Sequence, residues 1–541
     1  MSMSILIPAA TMMVAAQATP LPPVPTAPLI IDQGRADRAP PGAIQPVPEQ
    51  RARGAADLVT VDAVGDTTPI RGIAFDGAEV PATVAAAART FIGEPANAQT
   101  LQRLARAMSD AYEEADVALY TVVIPAQDFS TGTVRVQVAE GFVEAITYPN
   151  GASPLIRAYA ERMKAQAPLS RRALQRYLSL MRDIPGAAVD ARLLRGARPG
   201  GVVLALTPKR ERSDFSFGFD NRNTQGLGNG QFRAEARGYS LLRDGDRTQL
   251  TLLAADDFKR YRYAAFSHMT PLGSDGMTAT ASLGYLETRP QNSVLTGEAR
   301  TAGLSIVYPV IRGYKRNLTV SLGLDGINSD AAAFGAVISS DRTRALRLAA
   351  GYSQVGEKSV ATLGGTVSRG VDMLGARGTP GFTDTTFTKL NMRATLDRQV
   401  GKRVIGRLRA SGQYSRDRLA AVERFAVGGV EFGRAFDAAL LSGDRGWAGL
   451  AEIALRPKLP KFLENSEIYA FIDHAEVRFN RRIGFAGARF DLASAGGGVR
   501  LVHGDRASLE VEAARHIDSP YPGFRQGWRV NIGWRLTLGR S

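Results

Sequence analysis

The chain has 541 residues, no cysteine, four histidines and a formal charge of +15, a length that predicts two or more domains. Without cysteine there are no thiolate metal sites, Fe–S clusters or cysteine nucleophiles. His268, His474, His503 and His516 lack the spacing of a metal-ligand motif, so neither a metal nor another cofactor is expected. The basic residues are dispersed singly, with no helix-turn-helix, zinc finger or RNA-binding aromatic motif, so nucleic acid is not an expected partner. The charge fits either a solvated basic surface or a polar interior lined by arginine.

In chain order, residues 1–18 are apolar and end in Ala16-Gln17-Ala18, the small-x-small pattern of a signal-peptidase site. No Lys or Arg precedes Arg35, and Pro8 interrupts a segment too short to remain as a membrane anchor. No other run of about 18 apolar residues occurs, which excludes a protein that spans a membrane by helices. Residues 19–56 are proline-rich, LPPVPTAP and then RAPPGAIQPVPEQ, and read as an extended linker. Within it, the stretch from Leu29 to Arg38 has the composition of a short helix.

Residues 57–140 then give strand IRGIAFDGA, helix VPATVAAAARTFIG, helix NAQTLQRLARAMSDAYEEADV and strands LYTVVIPAQ and GTVRVQVAEG. In the second helix Leu101, Leu104, Ala105 and Met108 share one face at three- and four-residue spacing. The same β-α-α-β-β order returns in 141–211: FVEAITYPN, SPLIRAYAERMKAQ, SRRALQRYLSLMRDIPG, AVDARLLRGA and GVVLALTPKR. The order, with the endings VRVQVAEGFV and VVLALTPKR, resembles tandem POTRA domains, the periplasmic modules that precede outer-membrane barrels. The resemblance implies that they receive a client chain, by strand addition along a sheet edge, or serve only as spacers.

From about Arg212 to residue 541 the period is two. Phe215, Phe217 and Phe219 alternate with Ser216 and Gly218. Trp528, Val530, Ile532, Trp534, Leu536 and Leu538 alternate with Arg529, Asn531, Gly533, Arg535 and Thr537. Segments run near ten residues between breaks such as LRDGDRTQ and LGSDGM, longer than the strands of a soluble sandwich and suited to tilted membrane strands. At about 20 residues per strand with its turn, residues 212–541 supply about 16 antiparallel strands, closed because lipid satisfies no open edge. The expected fold is α+β modules followed by an all-β transmembrane barrel. GLGNG, Gly226 to Gly230, lacks nucleotide-loop spacing and reads as a hairpin loop.

One stretch breaks the alternation: FAVGGVEFGRAFDAALLSGDRGW, from Phe425, with Arg434 between Gly433 and Ala435-Phe436. On residues alone it suits a catalytic loop, a phosphate cradle or a loop folded into a pore, since each uses glycine for close backbone approach. Together with the modules and the barrel, it resembles the outer-membrane transporters of two-partner secretion, the ShlB/FhaC/HecB haemolysin secretion/activation family. Gly433-Arg434-Ala435-Phe436 stands where that family has a VRGF/Y-type motif at the tip of a pore-inserted loop, with Ala435 in place of glycine. Phe471-Ile472-Asp473 matches its F-x-D on a barrel strand.

Alternation agrees with the resemblance. In EIYAFID, Ile468, Ala470 and Ile472 face lipid, so Glu467, Tyr469, Phe471 and Asp473 face the lumen. The resemblance therefore implies a loop latch (Gly433, Arg434, Phe436) on a wall partner (Phe471, Asp473), with Arg434 paired to Asp473. The alternative is an ordinary surface arginine and an unrelated lumen carboxylate.

The resemblance further implies an outer-membrane location in a Gram-negative bacterium, contact with outer-membrane lipid, and a secreted, β-helical, haemolysin- or adhesin-like exoprotein bound by the modules. It also implies that any plug helix is short and lies between Leu29 and Arg38. No nucleophile accompanies a base, so an enzyme is not expected. The competing reading is a BamA-type insertase of barrel proteins.

Overall fold

A computed structural model describes residues 59–334, 336–525 and 527–539. The expected export signal, linker and Leu29 to Arg38 helix lie outside the described residues. Nearest the N-terminus, strands β1 (Val59–Val61), β5 (Tyr120–Ile124), β6 (Thr133–Glu140) and β3 (Gly72–Gly77) form one sheet, with β2 (Gly65–Pro69) and β4 (Pro95–Asn97) paired separately. Helices α1 (Ala82–Arg89) and α2 (Ala98–Glu114) pack Val84, Leu101, Leu104 and Met108 against Val122, Ile124, Val134 and Val136. The Asn97 side chain starts α2 by accepting the Thr100 N–H at 2.9 Å. Strands β1, β2 and β4 were not expected, since three to five residues are too few to display an alternation.

The second unit has a sheet of β7 (Phe142–Thr147), β9 (Gly201–Arg210) and β8 (Ala187–Arg195), with β8 outermost. Its helices α3 (Pro154–Lys164) and α4 (Arg171–Arg182) are capped by Ser153 and Ser170. They bury Ile156, Tyr159, Met163 and Met181 in a core of their own.

The period-two region folds as β10 (Ser213–Asp220), β11 (Gln231–Tyr239), β12 (Arg247–Ala255), β13 (Tyr261–Leu272), β14 (Met277–Thr288), β15 (Leu295–Arg312), β16 (Arg316–Ala333) and β17 (Ala336–Val355), then β18 (Ser359–Gly370), β19 (Thr388–Gln399) and β20 (Val404–Ser415). After a loop that contains the short strands β21 (Phe425–Val427) and β22 (Leu441–Gly443), it resumes with β23 (Arg445–Leu455), β24 (Glu467–Phe479), β25 (Ala488–His503), β26 (Ala507–His516) and β27 (Trp528–Leu538). All but β21 and β22 join one closed barrel of sixteen strands, sealed where β27 pairs with β10. Strand number and closure agree with the sequence. Lengths do not: β15, β16 and β17 run 18, 18 and 20 residues, about twice what crossing the apolar layer needs, so these hairpins rise beyond it.

The barrel is apolar outside and polar within. Trp528, Val530, Ile532, Trp534, Leu536 and Leu538 are exposed, while Asn531 and Thr537 between them are buried. Polar contacts seat the second unit beneath one mouth. Arg176 of α4 bonds Asp275 and the Pro309 carbonyl, Asp183 pairs with Arg312, and Arg210 and the Leu155 N–H meet Asp244.

Candidate functional site in the barrel lumen

The loop between β20 and β23 turns back into the barrel as a hairpin, with Phe425 opposite Gly443 and Val427 opposite Leu441. Glycine is required at its tip. Gly428 has φ 108°, and a Cβ there would lie 2.2 Å from the Asp437 carbonyl oxygen. At Gly433, φ is 72° and a Cβ would meet Leu492 at 2.7 Å. Ala435 adopts no positive φ, so alanine in place of the family's glycine fits this tip. Phe425, Phe432, Phe436 and Leu441 bury against Leu450, Phe471, Val477 and Leu492 of the inner wall. Burying each such side chain favours the docked loop by about 1.5–3 kcal/mol.

Arg434 is 5% exposed. Its Nη1 donates to Glu452 Oε2 at 3.0 Å and to Glu512 Oε2 at 3.1 Å, and its guanidinium carbon lies 4.5 Å from the centre of the Phe471 ring. Asp473 does not receive the guanidinium, contrary to the pairing expected from sequence. Its Oδ2 accepts the backbone N–H of Arg434 at 3.2 Å, and its Oδ1 accepts the Ser494 hydroxyl at 2.8 Å. The reason is reach: Asp473 stands level with the turn's backbone, and the long arginine side chain passes over Phe471 to the acids of β23 and β26. Phe436 is 1% exposed and stacks on His516 and Phe524, while His516 Nε2 lies 2.7 Å from the Ala435 carbonyl. Asn531 donates to the Arg434 carbonyl, and Asp437 pairs with Arg529.

The two acids are shared. Glu452 also binds Arg407 and Arg500; Glu512 also binds Arg222, the Tyr469 hydroxyl and Asn531. Such charge-assisted contacts, with each lone pair matched, are what a desolvated cation needs.

Two further grips hold the stem of the loop. Glu423, fully buried, lies 2.9 Å from Arg347 Nη2 on β17 and 2.6 Å from Lys389 Nζ on β19. Asp444, also fully buried, takes both terminal nitrogens of Arg482 and the N–H groups of Leu419 and Asn480. Sequence reasoning points to Gly433, Arg434, Phe436, Phe471 and Asp473 as one site, and the structure assembles all five there. It misses Glu512, Glu423, Arg347 and Lys389. Alternation marks all but Glu423 as inward, yet only the register of neighbouring strands says which of many inward charges meet.

A profile of the haemolysin secretion/activation protein family ShlB/FhaC/HecB matches residues 200–501, and one of the ShlB-type POTRA domain matches 68–141. The outer membrane transporter CdiB of Dickeya dadantii (strain 3937) is 23% identical over 470 residues, 82% of this chain and 81% of the relative. The heme/hemopexin transporter protein HuxB of Haemophilus influenzae is 19% identical over 457 residues, 80% of each. Among solved structures, CdiB from Escherichia coli superposes with a TM-score of 0.73 at 20% identity, over 88% of this chain and 91% of that one. BamA from Haemophilus ducreyi lacking POTRA domains 1-3 gives 0.51 at 14% identity, over 87% and 99%; these structural likenesses concern the fold alone.

Proposed function

The chain belongs to the ShlB/FhaC/HecB haemolysin secretion/activation family and is an outer-membrane transporter that exports a partner protein, with its POTRA-type region in the periplasm, and on that premise we propose that the loop carrying Gly433, Arg434 and Phe436 is the latch of the export pore, seated on Phe471 and Asp473. The observation that carries this reading is the burial of Arg434 inside the lumen between Glu452 and Glu512. A desolvated cation held between two carboxylates defines one docked position of the loop, and its withdrawal widens the lumen.

The client is a large, β-helical, haemolysin- or adhesin-like exoprotein that crosses the periplasm unfolded. It pairs with a free module edge such as β8, whose outward N–H and C=O groups offer a strand template. It then threads the lumen once the Arg434 tip shifts. The sequence carries no nucleotide-binding motif, and folding of each emerged segment outside withdraws it from the equilibrium and gives transport its direction.

The test compares secreted and outer-membrane proteomes of cells with and without this chain. Loss of one or a few large exoproteins from the medium is expected. Broad depletion of barrel proteins from the outer membrane would instead favour the insertase reading. Arg434→Ala and Asp473→Ala are expected to leave the barrel assembled and impair export; normal export by both would refute the latch.

A further inference from the structure

The lumen has two unlike walls. On β23–β26 the inward positions carry Glu452, Glu467, Asp473, Arg500, Glu510 and Glu512, the ionic bed on which the loop lies. Across the barrel, Phe266, Leu283 and Leu304 point outward and are exposed, so the alternate positions of β13, β14 and β15 face in. None of these is charged as far as Pro309; past a bulge there Arg312 turns inward to Asp183, and on β16 the inward Asp325 is paired with Arg347. Ser282 lies opposite Gly303, and Thr280 opposite Ser305, which in turn faces Gly323 of β16. These residues are half-buried and line an open part of the lumen that the loop leaves unfilled, with Arg233, Arg247, Asp325 and Arg347 at its border.

The same strands continue to the periplasmic mouth. There Met269 and Val307 share a hollow with Leu155 of α3 and Leu180 of α4, in the seam between the second module and the barrel. An apolar entrance and a hydroxyl- and glycine-rich wall thus lie end to end on the same strands, β13–β15, bordered on β16 by the Asp325–Arg347 pair.

We propose that this strip is the track of the client: an unfolded polypeptide enters between the second module and the mouth at Met269 and Val307, and slides in extended form along β13–β15, opposite the ionic bed. The inference rests on the export reading above and adds the path. Transit requires contacts favourable enough to admit the chain and weak enough to release it. Hydroxyls both donate and accept, so they replace water at any backbone group of the client without selecting its sequence, whereas the ionic bed would arrest each oppositely charged side chain. Glycines at 303 and 323 leave the width. The hollow at the mouth accepts apolar side chains exposed on an unfolded client and on few folded ones.

The natural absence of cysteine makes the test direct, because each introduced thiol is unique. Ser282→Cys and Ser305→Cys probe the strip, Met269→Cys the entrance, Ser508→Cys the ionic wall, and Leu304→Cys the lipid face. Each full-length variant, labelled with a benzophenone maleimide, is irradiated in cells in which the exoprotein lost on deletion of this chain is arrested in transit by a disulfide-closed domain fused to its C-terminus.

Adducts with the arrested client are expected from positions 269, 282 and 305, and loss of adduct at 508 and 304. Client adducts from position 508 without those from 282 and 305 would overturn the track while leaving export intact. Adducts of the strip with this chain's own residues, and none with the client, would assign the strip to a segment of this chain and overturn the track as well. Failure of every lumen position to meet a client that is nonetheless secreted would overturn the export reading itself.

Discussion

The most deeply buried ion pairs at the tip and at the stem of the loop have opposite polarity. At the tip the loop supplies the cation, Arg434, and the wall supplies acids that already serve Arg407, Arg500 and Arg222. At the stem the loop supplies the anion, Glu423, and the wall supplies Arg347 and Lys389, both of which close on it. Removing the tip cation leaves its acids with other cations; removing Glu423 takes the carboxylate from between Lys389 and Arg347, of which only Arg347 is also held by the carboxylate of Asp325. On the latch reading we propose, the comparison teaches that the tip is the part to be released and the stem the part to stay, with opening as a swing of Arg434 and Phe436 about Glu423 and Asp444.

The largest effect is therefore expected at the stem. Glu423→Gln should lower the stability of the folded barrel by about 3–5 kcal/mol, read as an earlier loss of the compact band on heating in detergent gels. Stability equal to the unaltered chain would mean that the stem is not an anchor. Arg434→Ala should cost less, about 1.5–3 kcal/mol as for a hydrogen bond to a charged group, and should raise the mean conductance in planar bilayers because the tip no longer docks. Were it to melt below the Glu423 variant, the assignment of pivot and latch would be reversed.

Asp473→Asn sharpens the comparison, since an amide oxygen still accepts the Arg434 N–H. A loss of about 0.5–1.5 kcal/mol is expected, with export better retained than in Arg434→Ala; equal defects would restore Asp473 as the ionic partner. The smallest effect belongs to Ala435→Gly. The native backbone there needs no positive φ, so glycine should only loosen the free loop, by about 0.4–1 kcal/mol, visible as a slight rise in the frequency of channel openings.

Much of this architecture is legible in the amino-acid sequence. Alternation from Phe215 to Leu538 predicts the barrel and its strand number, because a strand with lipid on one face and water on the other leaves its period in the sequence. The same rule places Asp473 inside. It does not name the partner of Arg434, because alternation gives a face and not a register. Glu452 and Glu512 come from β23 and β26, two strands more than fifty residues apart whose relative height is set by every turn between them. Glu423 escapes for another reason: it sits in an irregular loop, where no period marks which way a side chain points.

The seam between β10 and β27 sets Phe215 beside Leu538, and the seat of Arg434 is built from what that seam brings together: Glu512 of β26, Asn531 of β27, and Arg222 just past β10. Contacts between such distant parts of a chain form late. A half-assembled barrel, whose open sheet has no Arg222 beside Glu512, therefore offers the loop an incomplete seat. On the latch reading we propose, full docking of the tip follows the joining of the last strand to the first, so the gate shuts as the wall is completed.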